Sequence, residues 1–203
     1  MMNLQPAQSG RTASSLDYSQ ALEHALRLLP IPEGYTLRHA RPRKQNGAGV
    51  WVFRYEKSSE DNLGWGGEHY SFVVAMDAPA ILGFTWMDRR FTAGALPSPE
   101  MTREAARDFL NKLEPGLFDR LQNLWIDRHD ETIRIHDGLS QAGASLVISG
   151  MKYKCYRQEH DDYAWVIVGP DGQVITFEQG ILWDNGRVTE KWLHDSWASA
   201  FEE

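Results

Sequence analysis

The sequence predicts an α+β protein of two repeats, each a helix followed by an antiparallel three- to four-stranded meander, with a C-terminal hairpin and helix appended. Three observations predict it. Tyr70-Ser71-Phe72-Val73-Val74-Ala75 recurs 93 positions later as Tyr163-Ala164-Trp165-Val166-Ile167-Val168, and the register holds through Ile81/Val174 and Phe84/Phe177. Each copy then breaks, at Asp77-Ala78-Pro79-Ala80 and at Pro170-Asp171-Gly172-Gln173, before a second apolar run, which is the pattern of strand, tight turn and return strand. A helical stripe precedes each copy: Ala21, Ala25, Leu26 and Leu29 in one case, Ala105, Phe109, Leu110 and Leu113 in the other. Self-similarity at a fixed spacing decides architecture before any local reading does.

Taken in order, residues 1–15 are polar and read as a flexible arm. Asp17 is placed to cap the first helix, and Pro30 and Pro32 stop it. Gly34-Tyr35-Thr36-Leu37 opens an extended segment that runs into the basic stretch Arg38–Lys44, interrupted by Pro42. Asn46-Gly47 marks a turn into a strand over Val50–Tyr55, with Trp51, Phe53 and Tyr55 alternating on one face. Residues 58–67 form a polar glycine-containing loop, and the strands Tyr70–Ala75 and Ala80–Trp86 complete the first repeat, 16–95.

The second repeat, 96–203, begins at Leu96-Pro97-Ser98-Pro99. Ser98 caps a helix, Pro99 takes its first position and Glu100 favours the positive end of the dipole. After Pro115-Gly116, the residues Leu117, Phe118, Leu121 and Leu124 predict a short second helical segment. Strand character returns at Ile133/Ile135, Leu146–Ile148, Met151–Tyr156, Tyr163–Val168 and Gln173–Phe177. Asp184-Asn185-Gly186 between apolar runs predicts a hairpin. Trp192, Leu193, Trp197, Ala200 and Phe201 predict a C-terminal helix.

Composition narrows the function classes. With 203 residues, 42% apolar and 24% charged, the chain has the makeup of a folded protein rather than a disordered one. A net charge of −7 opposes non-specific attraction to phosphate, so nucleic acid is not an expected partner. There is no apolar run long enough to span a bilayer, and no hydrophobic leader core precedes residue 15, so no membrane partner is expected and the expected setting is cytoplasmic, or exported where a signal peptide has been removed. The single cysteine, Cys155, fits a reducing compartment and reads as a small core residue.

Met101–Leu110, Tyr153–Arg157 and Trp165–Val174, with Trp51–Tyr55 and Val73–Phe84 in the first copy, resemble the PepSY-type module in its tandem YcdB/YcdC-like form. That resemblance implies a small non-enzymatic domain that binds peptides or restrains a protease, with no catalytic residues to carry over. The first turn departs from it, with Ala78-Pro79 where Asp-Gly is favoured. Ile181–Trp192 is similar to the last hairpin of NTF2-like folds, which implies a pocket between sheet and helices.

The densest polar cluster is Asp127-Arg128-His129-Asp130-Glu131, followed by His136-Asp137. Converging carboxylates and imidazoles bind a divalent metal or serve as general acid and base. The spacing fits no ligand frame, and the interleaved Arg128 and Arg134 predict compensated charge on a solvated loop and an exposed strand face. Glu159-His160-Asp161-Asp162 reads as a hairpin tip. Gly64-Trp65-Gly66-Gly67 lacks the Lys-Ser/Thr of a phosphate loop and reads as a mobile loop with an exposed Trp65. No catalytic, cofactor-binding or metal residue is assigned, and no cofactor is expected. Large aromatics outside the repeated strands are the candidate partner anchors: Trp65, Trp183, Trp192 and Trp197. The expected function is that of a non-enzymatic binding or regulatory protein of bacterial type, inhibitor- or immunity-like, acting on a protein or peptide partner. Homodimerisation through a sheet is a further expectation, and an NTF2-like small-molecule or enzymatic pocket is the alternative.

Overall fold

A computed structural model describes residues 15–136 and 143–201. Its elements are α1 (Tyr18–Leu28), β1 (Tyr35–Gln45), β2 (Ala48–Lys57), β3 (His69–Ala75), β4 (Ile81–Met87), α2 (Pro99–Leu113), β5 (Gln122–Ile135), β6 (Ala144–Arg157), β7 (Asp162–Val168), β8 (Val174–Ile181) and α3 (Asp195–Ala198). Short 3-10 turns lie at Arg89–Thr92, Phe118–Arg120, Pro170–Gly172 and Ser199–Phe201.

Local chemistry explains the element ends. The Gln20 amide donates to the Asp17 carboxylate at 2.9 Å and the Asp17 amide to the Gln20 side chain at 3.1 Å, so two orphan donors of α1 are satisfied reciprocally. The Met101 amide donates to Ser98 Oγ, and Pro99 opens α2 where its missing N–H costs nothing. Asn46 and Gly47 both take positive φ, 51° and 81°, the turn whose twist matches a two-stranded hairpin.

The expected two helix-plus-meander repeats are corrected by the strand pairing. All eight strands belong to one antiparallel sheet in the order β1-β2-β3-β4-β8-β7-β6-β5. The join is the β4–β8 pair, where Gly83, Phe84 and Thr85 face Glu178, Phe177 and Thr176. Two strands that would have been edges of separate sheets are thereby buried in the middle, and Phe84 and Phe177, matched by the 93-residue echo, become direct cross-strand neighbours. Hydroxyls seal the join, with Thr85 Oγ1 and Thr176 Oγ1 hydrogen-bonded at 2.7 Å.

One face of this sheet carries the larger core. Ala21, Ala25 and Leu29 from α1 and Ala106 and Leu110 from α2 pack on Phe53, Phe72, Phe84, Tyr153, Val166 and Phe177. Cys155 belongs to this core, and burial pushes its thiol up to about 12. The opposite face holds two smaller clusters. One has Ile133, Ile148, Trp165, Ile167 and Ile175; the other has Val50, Val52 and Val73, capped by Leu193 from the C-terminal segment.

Three local expectations also change. The helical segment expected across Leu117–Leu124 is only the Phe118–Arg120 turn, because Leu121 turns extended and Leu124 already lies in β5. Residues 127–131, expected on a loop and strand face, are all strand, paired to Lys152–Ile148 of β6. The expected C-terminal hairpin is a single bridge, Trp183 to Arg187, and the helix after it shrinks to α3 plus one 3-10 turn. Their side chains make tertiary bonds to the sheet instead of a regular ladder. No helix among the described residues is long and apolar enough to cross a membrane.

Candidate functional site

Alternation along β2, β3, β4 and β8 sends every second side chain away from the helices. On most such strands those positions are apolar or solvated; here they include Arg54, His69, Ser71, Thr85, Thr176 and Glu178, all buried. A buried charge needs a partner; Arg54 Nε donates to Glu56 on its own strand at 2.8 Å, and the remaining partners of Arg54 and Glu178 come mainly from the C-terminal segment 182–199. Arg54 donates to both Asp195 oxygens, at 2.6 and 2.9 Å, and Arg187 to both Glu178 oxygens, at 3.0 and 2.6 Å. Leu193 seats over Gly83, where a Cβ would come within 2.8 Å of its Cδ1. The segment is thus a strap bolted across the sheet.

The loop 58–67 covers the same face from the other side. The Gly66 amide donates to Asp195 at 2.6 Å, the Arg134 amide to the Gly66 carbonyl at 2.7 Å, and Asn62 bridges Ile135 at the end of β5. Between strap, loop and sheet lies a cavity of about 390 Å³, lined by His69, Thr85 and Thr176 from the sheet floor, Glu131 and Ser145 from β5 and β6, His194, Asp195 and Ser196 from the strap, and Trp65 from the loop.

The electrostatics of the lining are internally balanced. Burial works against charge on Glu178, but His194 and Arg187 overcome it and hold the carboxyl down at about 2. Burial likewise opposes ionisation of Asp195 and Glu131. The Arg54 guanidinium and the Gly66 amide overcome it for Asp195, and the His129 hydrogen bond at 2.8 Å does so for Glu131; both end below their ordinary range. His69 is wholly enclosed, and desolvation lowers its ring to about 3, so it is neutral at physiological pH. Lys152, half-buried with its Nζ 3.8 Å from the Trp165 ring centre, is lowered by burial to about 8.

Ser71, His69 and Asp195 stand in a row, with Ser71 Oγ 2.9 Å from Nδ1 and Asp195 Oδ1 3.4 Å from Nε2. The row resembles a nucleophile relay in composition only. Ser71 is buried, and the space it borders beside Val52 and Arg54 is about 10 Å³, no more than a water molecule needs.

The candidates read from the sequence are divided by this geometry. Asp127, His129 and Glu131 alternate onto the strap face of β5, and of the three only Glu131 lines the cavity. Asp130 lies on the other face, where Arg128 Nε donates to it at 2.9 Å. His136 is exposed past the end of β5, and Asp137 lies outside the described residues. Among the described residues no three His, Cys, Asp or Glu side chains are grouped to hold a metal ion. Trp65, expected exposed, is half-buried because its ring lies 4.2 Å from the Arg54 guanidinium. Trp192 donates to the Lys44 carbonyl at 2.8 Å and packs with Trp197 and Phe201, an aromatic anchor for the strap. Trp183 is exposed. Sequence reasoning passed over Arg54, His69, Glu178 and Asp195. The available signal was a charge inside an apolar strand: Val52-Phe53-Arg54-Tyr55 and Thr176-Phe177-Glu178.

Together, fold and site define an α+β protein whose single sheet carries helices on one face and a strapped polar cavity on the other. No protein-family model matches the chain, and no curated protein matches it. Among solved structures it is similar to the Bacillus megaterium YpeB C-terminal domain. The two are 9% identical, the likeness covers 81% of this chain and 97% of that one, and the TM-score is 0.43. A likeness this remote carries no function across.

Proposed function

We propose that this is a non-enzymatic binding protein that holds a small polar, uncharged or zwitterionic ligand between strap and sheet. The observation that carries the reading is the cavity of about 390 Å³, the volume of a small-molecule site. Its hydroxyls, neutral imidazole and carboxylates offer both donors and acceptors, while Arg54 and Arg187 already neutralise the deepest acids. A ligand with a large net charge would meet no uncompensated counter-charge. The PepSY-like resemblance favours binding without chemistry.

The test is a thermal-shift screen of small polar metabolites, followed by calorimetry on each hit. A ligand at about a hundred times its Kd adds about 2.7 kcal/mol of stability. Glu131→Gln combined with Thr176→Val is expected to weaken it at least about tenfold, each lost polar contact being worth about 1 kcal/mol, and Ser196→Trp, which fills the cavity, to abolish binding. A hit that binds the Ser196→Trp protein as tightly as the wild type would refute the site. The expected protein or peptide partner is favoured by a different observation, the exposed Trp125 and Trp183 on the same face nearer β5.

A further inference from the structure

We propose that the outer edge of β5 at Gln122–Ile126, with the aromatic patch beside it, docks an extended acidic segment of a partner protein. The segment adds to the sheet as a ninth strand and sets a carboxylate on Lys154. This rests on the protein-partner reading and is independent of the cavity.

β5 is a terminal strand, bonded to β6 on one side. Its far end is covered by the loop, through the Arg134 and His136 amides donating to Gly66 and Asp61, which leaves the Gln122 end open. The opposite edge, β1, is guarded by Pro42, by a bulge after Leu37 and by Arg38, Arg43 and Lys44. Gln122-Asn123-Leu124-Trp125-Ile126 carries a bulge between Asn123 and Trp125 but holds neither proline nor charge, the two guards that β1 has in addition. An unpaired edge of this kind accepts a strand through main-chain hydrogen bonds, and neighbouring side chains then select the sequence.

The selecting group is Lys154. Its Nζ lies 5.4 Å from the Trp125 ring centre, 4.9 Å from Tyr163 and 4.9 Å from Trp183. Among the described residues no carboxylate comes within ion-pair distance of it, unlike Arg54, Arg157 and Arg187 nearby. A half-buried ammonium ringed by aromatic faces and lacking a counter-ion attracts an incoming carboxylate more strongly than a solvated lysine does. Trp125 and Trp183 are 42% and 52% exposed, so the rings also offer apolar contact to the residues flanking that carboxylate. A second copy of the chain is a poorer occupant, because an isologous contact through this patch sets Lys154 against Lys154. Nucleic acid is poorer still: one uncompensated cation on a chain of net charge −7 does not neutralise a run of phosphates.

The experiment uses the full chain and short fluorescein-labelled peptides of alternating Val and Glu, with alternating Val and Lys as the control. Anisotropy is expected to show the acidic peptide binding in the micromolar range and the basic one at least about tenfold more weakly, the size of one well-placed charge contact. Lys154→Gln is expected to remove the preference and Lys154→Glu to reverse it, at unchanged circular dichroism. Leu124→Pro is expected to abolish both. Equal binding of the two peptides, or no acidic binding below about 1 mM, overturns the proposal. So does competition by oligo-dT, or dimerisation of the free protein that Lys154→Glu abolishes. The cavity-filling Ser196→Trp is expected to leave peptide binding intact, so that failure of one reading is distinguishable from failure of the other.

Discussion

A histidine in water takes up its proton near neutrality, whereas His69, enclosed between β3 and the strap, does so only near pH 3. Its folded-state value lies below its unfolded one, so between those limits the unfolded chain binds the extra proton and stability falls as the pH falls. Urea denaturation at pH 7 and pH 5 is expected to differ by about 2 kcal/mol on this account, and His69→Gln to flatten that difference. Unchanged pH dependence in the variant would show that the ring ionises freely. Glu178 adds a loss of the same sign only at more acid pH, since its stabilisation is complete above the ordinary carboxylate range and disappears toward its folded value of about 2. Arg54 is the second residue whose role is set by its surroundings. Arg54→Met strands the Asp195 carboxylate without its guanidinium and is expected to cost about 3–5 kcal/mol, read as a lower urea midpoint. Arg54→Met with Asp195→Leu is expected to recover part of that loss. Neither role could be read from the chain, because Asp195, which ties Arg54 to the strap, stands 141 positions away.

At the scale of elements, the helices and most strands were legible. The stripe Ala21, Ala25, Leu29 and the capping pair Asp17/Gln20 predict α1, and Asn46-Gly47 predicts the β1–β2 turn, because each signal is complete within a few residues. Leu117–Leu124 misled, since a short apolar run fits helix and strand alike and β5 is settled by its ladder with β6. The strap was illegible as an element. Asn185-Gly186 and the Trp192–Phe201 stripe suggest regular structure, yet the segment is held by Arg54, Glu178 and the hollow at Gly83. That hollow is testable. Gly83→Ala is expected to cost about 1–3 kcal/mol by pushing Leu193 off the sheet. Paired with Leu193→Ala it is expected to be markedly non-additive in a double-mutant cycle. Strict additivity would show that the strap does not rest there.

Across the whole molecule, the decisive contact is the β4–β8 pairing. It makes Phe84 and Phe177 neighbours in the core under α1 and α2, so the two ends of the sheet share one hydrophobic interior. Phe177→Ala is expected to cost about 3–5 kcal/mol, with tryptophan fluorescence and far-UV circular dichroism melting together. Two separated midpoints would mean that the sheet unfolds in independent halves. The sequence by itself determined the α+β class, the turns, the helix starts and which strand positions are apolar, because these follow from periodicity and local chemistry. Only the tertiary structure decided that the strands form one sheet, that Arg54 and Glu178 hold down a strap, and that Glu131 reaches a cavity while Asp130 turns away. Those outcomes depend on which distant segments meet. The alternation of a strand states that it has a face to bury and leaves open what will cover it.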